Sequence, residues 1–404
     1  MSNPPSLLVC AAEISADVRG ARLAAEIARL APGVRLYGLG GQHMARAGVD
    51  VRVDITDLGT VGWFDHWPHL ARYLEAWRFW RREVRAGRPR AAIVIDAPGI
   101  SFPFARIARS AGVPVAYFIA PQTWLWNPRS AVTRLRGRFD LVIATLAEEA
   151  DIYARAGLPV VYEGHPALDD LLDAWNPGDA VATGRGHPSD AGSRGRDAHP
   201  PVVGLVPGSR RHAIRRLLPV MLDALDLVER QVGVRRTLLS VAAPSLRAEV
   251  DACLRGRPRV PEIVEQDLRA VLKASDLVLA SAGGNLLEAA FADVPVVACY
   301  RIDPVSYWFA QHVLHVDAVV PAYTLPNIIA GGRVLPELIQ ADFTPGRMAD
   351  AAVRLLSDEA ARDALRETYR RVRERLGTAG VTTRIAAALV ARLGLGTPEG
   401  AAGR

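Results

Sequence analysis

The chain has 404 residues, half of them apolar and 23% charged, which is enough for two or three domains with sizeable cores. Its net charge of +6 and pI near 9.5 suit anionic phosphates or an anionic membrane surface. Nucleic acid is a weaker match, because the basic residues are scattered and no recognition motif appears. Cys10, Cys253 and Cys299 lie far apart, without CxxC or ligand spacing, which argues against disulfides and zinc; no metal and no cofactor are expected. Met1–Ser6 lacks a signal peptide's basic start, and no apolar run reaches the ~18 residues that span a bilayer. A cytoplasmic chain is expected, peripheral at most on the inner face of the cytoplasmic membrane.

Leu7–Ala11 reads as a short buried strand, and Ser15-Ala16-Asp17 opens a helix to Leu30, with Asp17 favouring its first turn. Val34–Leu39 is the next strand and turns at Gly40-Gly41. From Val61 to Trp80 the chain carries Trp63, Phe64, Trp67, Leu70, Tyr73, Leu74, Trp77, Phe79 and Trp80, followed by Arg81, Arg82, Arg85, Arg88 and Arg90. Aromatics at helical spacing fill a core; beside arginines they also suit an interfacial helix, which makes Trp63, Phe64, Trp67 and Trp77 candidate lipid-facing residues. Strands follow in the segment Ala91–Gly99, with the acid Asp96 at its C-terminal tip, at Pro114–Ile119 and at Leu141–Thr145. Asn176–Pro201 is rich in Gly, Pro, Ser, Asp and Arg and reads as a mobile linker or insertion. Strands resume at Val202–Val206, Thr237–Ala242, Glu262–Val264, Leu277–Ala280 and Val294–Tyr300, and Pro345–Leu393 reads as two helices.

This alternation predicts an α/β, GT-B-like fold, two doubly wound Rossmann-like domains facing a cleft. An N-terminal acceptor and catalytic domain covers 1–175, the linker 176–201 and a C-terminal nucleotide-sugar domain 202–345. Helices fill 346–393 and a tail 394–404. In the turn Pro207-Gly208-Ser209-Arg210, backbone N–H groups at a helix start and the Arg210 fork suit a phosphate, unless it is an ordinary loop with solvated arginines. A second small-residue turn offers Gly283, Gly284 and Asn285 to a diphosphate or ribose, with Glu288 one turn into its helix. Asp96, at a buried strand's tip before Ala-Pro-Gly, suits a base that takes a sugar hydroxyl's proton, or else a helix cap. Glu13 and Ser15 face the same cleft, Ser15 equally reading as an N-cap. Asn327 sits in an apolar, non-helical setting, where it braces a turn or meets ligand. His165 has no partner at ligand spacing and reads as a hinge or cleft residue.

These segments, in this order, resemble the lipid-A-disaccharide synthase family of GT-B glycosyltransferases from Leu7 to about Leu393, linker apart. The likeness rests on Ile95-Asp96-Ala97-Pro98, Ala120-Pro121-Gln122-Thr123-Trp124-Leu125-Trp126, Gly164-His165-Pro166, Pro207-Gly208-Ser209-Arg210 and Ala274-Ser275-Asp276. Most specific is Leu325-Pro326-Asn327-Ile328-Ile329-Ala330-Gly331 with Glu337-Leu338. The resemblance implies an inverting transfer from UDP-2,3-diacylglucosamine to the 6-hydroxyl of 2,3-diacylglucosamine 1-phosphate, giving a β-1,6-linked disaccharide and UDP. It implies Asp96 as general base or its orienter, and Ser209, Arg210, Glu288 and Asn327 around UDP without an obligatory metal. The implied partners are the UDP-sugar donor, the acylated glucosamine phosphate acceptor and an anionic membrane, with a homodimer as a further candidate and no nucleic acid. The chain departs from the family where Ala12 and Ala16 replace usual glycines, and where Arg211-His212-Ala213 lacks the usual acid. It departs again where Ala282-Gly283-Gly284-Asn285 replaces a Ser-Gly-Thr pattern. The residues also admit a UDP-sugar enzyme with another acceptor, an epimerase, or a non-catalytic relative that binds nucleotide-sugar or membrane. An epimerase needs no lipid contact, so the Trp-rich stretch argues against it; the lost glycines favour the non-catalytic relative.

Overall fold

The computed structural model describes residues 5–56, 70–120, 128–175, 200–302, 307–308 and 322–396. Trp63, Phe64 and Trp67 lie outside the described residues, as do positions 121–127 and positions 176–199 of the linker expected over 176–201. The chain divides into two units, one of Met1–Asp170 with Leu376–Arg404, the other of Leu171–Arg375.

In the first unit the parallel strands are β1 (Ser6–Ala11), β2 (Arg35–Gly40), β3 (Asp50–Asp54), β4 (Ala91–Ile95), β5 (Val115–Phe118), β6 (Leu141–Ala144) and β7 (Val160–Tyr162). They stand in the order β3-β2-β1-β4-β5-β6-β7. The order reverses between β1 and β4, so connections from their C-terminal ends part to opposite sides and leave a crevice there. Helices α1 (Ile14–Leu30), α2 (Gln42–Arg46), α3 (Leu70–Arg85), α4 (Pro98–Ser110), α5 (Pro128–Leu135), α6 (Ala147–Arg155) and α7 (Ala167–Ala174) connect the strands or follow them. β1 and β4 are buried on both faces, which is why they read as unbroken apolar runs. Trp80 is fully buried, stacked on Phe104 at 5.2 Å between ring centroids, with its indole N–H donating to the Phe104 carbonyl at 3.0 Å. The inner face of α3 is therefore core, while Leu70 and Leu74 are exposed and Arg81 covers the half-buried Trp77.

The second unit repeats the plan. Its strands β8 (Val202–Val206), β9 (Arg236–Val241), β10 (Glu262–Glu265), β11 (Leu277–Ser281), β12 (Val296–Tyr300) and β13 (Glu337–Ile339) stand in the order β10-β9-β8-β11-β12-β13. This order reverses between β8 and β11. Helices α8 (Arg211–Val232), α9 (Arg247–Leu254), α10 (Leu268–Ala274), α11 (Asn285–Phe291), α12 (Leu325–Ala330), α13 (Pro345–Ser357) and α14 (Glu359–Arg375) complete it. The apolar face of α8, from Ile214 through Leu217, Leu218 and Met221 to Val228, joins its core.

The Pro345–Leu393 stretch forms three helices and not two. Asp358 ends α13 in extended backbone, and its carboxylate caps the next helix through the Ala361 N–H at 3.1 Å. Gly377 and Gly380, both with positive φ, then separate α14 from α15 (Val381–Arg392). α15 returns to the first unit and packs on α1. The Asp169 carboxylate caps it, accepting from the N–H groups of Gly380, Val381 and Thr382 at 2.8, 3.2 and 2.7 Å. Gly164-His165-Pro166 locks the same junction: the His165 N–H donates to the Leu376 carbonyl at 2.9 Å. Gly164 has φ of 110°, and a Cβ there would lie 2.8 Å from that carbonyl oxygen.

Candidate active site

In the first unit the site grows from the tip of β4. Asp96 and Ala97 both have left-handed backbones, with φ of 51° and 42°, a conformation that costs a non-glycine residue ~1–3 kcal/mol. Neighbours hold it in place. The Asp96 N–H donates to Phe118 O at 2.8 Å, while its carbonyl accepts from Ser101 Oγ at 2.5 Å and from the Tyr117 hydroxyl at 3.3 Å. Of the carboxylate, Oδ1 takes the Ala97 N–H at 3.0 Å, and Oδ2 faces Arg19 at 3.5 Å. Tyr117 is fully buried; burial, then the charges of Asp96, Tyr153 and Glu13, push its phenol well above its usual value. Glu13 and Asp96 thus act on one phenol, across the strands where the sheet order reverses.

Glu13 is itself the N-cap of α1, two positions earlier than the expected Ser15; Ser15 lies exposed within the helix and is not the cap. Asp17 does more than favour that first turn: its buried carboxylate accepts from the N–H groups of Gly41, His43 and Met44 at 2.7, 2.9 and 3.3 Å, capping α2. Ala12 and Ala16 are buried, and neither has a positive φ, so alanine is tolerated where glycine is usual. The sequence reading missed Arg19 and Tyr117. Arg19 was detectable only as a helical neighbour of Glu13 and Ser15, and Tyr117 only as a polar tip in an apolar strand.

In the second unit the structure brings the two small-residue turns together. Gly208 has φ of 103°, and a Cβ there would lie 2.8 Å from Ser281 Oγ, at the end of the adjacent strand β11. Ser209 and Arg210 are exposed, and Arg210 is the N-cap of α8. Among the described residues none takes up the Arg210 guanidinium. Arg211 donates to Glu249 Oε1 at 2.5 Å and to the Ser245 carbonyl at 2.8 Å, and Arg215 reaches the same Glu249 oxygen at 3.1 Å. The acid missing after Gly-Ser-Arg in sequence is supplied in space by Glu249 on α9. Burial alone would raise its carboxyl; Arg211 and Arg215 hold it below its usual value. Gly283 and Gly284 are exposed, Glu288 is half-buried one turn into α11, and the Asn285 amide nitrogen is buried without a hydrogen bond among the described residues.

Other motif residues are braces. Asn327 lies inside helix α12, correcting the non-helical expectation, and is completely buried. Its amide nitrogen donates to Leu335 O at 3.1 Å, and its oxygen accepts from Val334 and Leu335, each at 2.9 Å. Glu337 accepts from the N–H groups of Tyr323 at 3.2 Å and Thr324 at 2.7 Å. Asp276 pins the start of β8 by accepting from the Val202 N–H at 2.7 Å. His165 is buried; burial, aided by Arg19, lowers its pKa to about 3, and its Nδ1 accepts from the Ala167 N–H. The cysteines are free, and burial pushes the Cys10 and Cys299 thiols up, away from nucleophilic character.

A groove of about 1190 Å³ lies at the N-terminal ends of β1, β2 and β4, among Ser6, Arg35 and Arg88, away from Asp96. Its arginines are largely engaged: Arg35 and Arg52 meet Asp50, and Arg82 and Arg88 meet Glu83. Among the described residues no three His, Cys, Asp or Glu side chains are placed to share a metal, and no helix is long and apolar enough to cross a membrane.

The family model and the curated relatives agree on one family. A family model described as lipid-A-disaccharide synthetase matches residues 7–389. Lipid-A-disaccharide synthase of Geobacter metallireducens is 31% identical over 388 residues, 96% of this chain and 97% of its own length. That of Nitrosococcus oceani is 32% identical, covering 97% of each chain. Similar solved structures include S. aureus MnaA with UDP (TM-score 0.59, 12% identity, 97% of each chain). Acinetobacter baumannii MurG also matches (TM-score 0.55, 15% identity, 95% of this chain and 99% of its own). At such identities these structures establish the two-sheet α/β fold alone.

Proposed function

The chain belongs to the lipid-A-disaccharide synthetase family, and from that premise we propose how its residues divide the work of a glycosyl transfer. It is a glycosyltransferase of lipid A biosynthesis that makes the lipid A disaccharide. The donor we propose is UDP-2,3-diacylglucosamine and the acceptor 2,3-diacylglucosamine 1-phosphate. The acceptor's 6-hydroxyl oxygen attacks the donor's anomeric carbon opposite the diphosphate. The bond from that carbon to the diphosphate oxygen breaks, UDP leaves, and the new linkage is β. Asp96 takes the hydroxyl proton, a role supported by its exposed carboxylate on a fixed strand tip, with Glu13 beside the same phenol.

Charge building on the leaving diphosphate is met by backbone N–H groups of the 208–211 turn, the Arg210 guanidinium and the 283–285 turn, a preorganised electrostatic role. Glu288 accepts from ribose. Asn327 acts at one remove, through the loop its amide holds. Exposed Leu70 and Leu74 beside the arginines of α3 support a membrane-facing role for the stretch that also carries Trp63, Phe64, Trp67 and Trp77. An anionic inner-membrane surface would then present both acylated substrates.

The observation that carries this reading is the family match over residues 7–389, which includes both strand-tip sites. The test is UDP release when purified protein meets both acylated glucosamines in mixed micelles, with non-acylated UDP-GlcNAc as the comparison donor. Release that needs both acylated partners supports the reading. Turnover of UDP-GlcNAc alone, without acceptor, would assign an epimerase or hydrolase.

A further inference from the structure

We propose that Arg19 recognises the acceptor's phosphate and brings that end of the sugar to Asp96, making it a specificity-determining residue; this rests on the acceptor proposed above. The carboxylates of Glu13 and Asp96 cluster at the tips of β1 and β4, and by themselves would repel a phosphorylated acceptor. Arg19 is the cation set against them, 3.5 Å from Asp96 Oδ2. That separation suits an ion pair but is long for a hydrogen bond. Among the described residues Asp96 is the sole partner of Arg19. The side chain is 30% exposed, and the five N–H donors of its guanidinium remain largely unspent.

Its neighbours are committed elsewhere. Arg22, one turn along α1, pairs with Asp170 at 3.1 Å. His165, near enough to feel the charge of Arg19, is a neutral imidazole whose Nδ1 already accepts the Ala167 N–H. The acceptor's chemistry matches this layout. In a pyranose, C5 and C1 both flank the ring oxygen, so the 6-hydroxyl and the 1-phosphate lie near one another. A planar guanidinium can hold a carboxylate along one edge and a phosphate along another. With the phosphate on Arg19, the 6-hydroxyl is delivered beside Asp96 Oδ2.

The test compares 2,3-diacylglucosamine 1-phosphate with its dephosphorylated analogue, for wild type, Arg19→Gln and Arg19→Lys. Steady-state kinetics at saturating donor are paired with calorimetric binding of each acceptor in detergent micelles. Loss of a charged hydrogen bond should cut the preference for the phosphorylated acceptor about ten- to a hundredfold in Arg19→Gln, with partial return in Arg19→Lys. UDP affinity should stay at the wild-type value. If Arg19→Gln weakens both acceptors equally, or lowers only kcat, Arg19 merely braces Asp96 and the proposal falls. A wild type that turns over neither acceptor would sink the assigned reaction, while the binding comparison still decides the role of Arg19.

Discussion

Gly208→Ala tests how the nucleotide site is built. At φ of 103° an alanine pays backbone strain of ~1–3 kcal/mol. Its methyl would also lie 2.8 Å from Ser281 Oγ, closer than real contacts allow, and Ser281 is buried at the end of β11. Relieving that overlap adds about 1 kcal/mol or more. The sum, roughly 2–4 kcal/mol, should lower the melting transition of the second unit by about 5–15 °C. Because the turn carrying Ser209 and Arg210 must move, UDP affinity should fall at least about tenfold, or ~1.4 kcal/mol. Ser281→Ala in the same background removes the clash and leaves the strain, so it should recover part of both losses. Calorimetric melting and UDP titration of the four proteins complete the cycle. If Gly208→Ala melts and binds UDP like the wild type, the β8 turn is not seated against β11 and this account of the site fails.

Asp96→Ala should cut turnover about a hundredfold or more while UDP binding stays within twofold, and near-wild-type turnover would remove the base assignment. Asn327→Ala leaves the Val334 and Leu335 N–H groups and the Leu335 carbonyl unpaired, at a cost of ~3 kcal/mol. Its melting temperature should fall sharply; lost UDP affinity with unchanged melting would instead make Asn327 a direct ligand. His165 titrates near 3 in the folded chain and near 6.5 when unfolded. The unfolded state alone binds that proton in between, so this contribution is intact above about pH 6.5 and declines as pH falls towards 3. His165→Asn keeps an acceptor for Ala167 and cannot titrate, so its melting temperature should fall less steeply between about pH 6 and 4; identical slopes would refute the assignment. Trp67→Ser with Trp77→Ser should loosen sedimentation with anionic vesicles, and unchanged binding would mark that stretch as core.

What the sequence made legible follows burial. Strands buried on both faces were the most legible: Val202–Val206 was placed to the residue, and the strand beginning at Ala91 was found with its end left within Ala91–Gly99, since nothing but an unbroken apolar run fills such positions. The strands β3, β7 and β13 went unread because each is short and only partly covered, whereas the edge strand β10 was read at Glu262–Val264. Asp50-Val51-Arg52-Val53-Asp54 alternates charge with valine, and Val160–Tyr162 has no fully buried residue. The break at Asp358 was hidden because apolar spacing continues on both sides of it. The return of α15 to the first unit was hidden for another reason: its anchors, Gly164, His165 and Asp169, lie more than two hundred residues upstream in the chain. Glu249 was missed likewise, since local order shows an acid's absence after Arg210 and not its replacement from α9.

Motif residues legible in sequence split, in structure, by whether their hydrogen-bonding capacity is spent. Asn327, Asp276 and Glu337 accept backbone N–H groups, and a ligand could gain from them only by unmaking those bonds. Asp96 and Arg210 keep exposed, unspent capacity at the strand tips where each sheet's order reverses, and Arg19 on α1, outside every motif, does so beside Asp96. The braces make that capacity useful: Asp276 fixes the start of β8, and Glu249 engages Arg211 so that Arg210 stays available. The same split explains why the Ala12 and Ala16 departures need not abolish chemistry. They fall on buried, right-handed or extended backbone beside Glu13, whereas the strain at this site is carried by Asp96 and Ala97. Substitution of a brace should therefore move melting and turnover together, and substitution of an open group should move turnover alone.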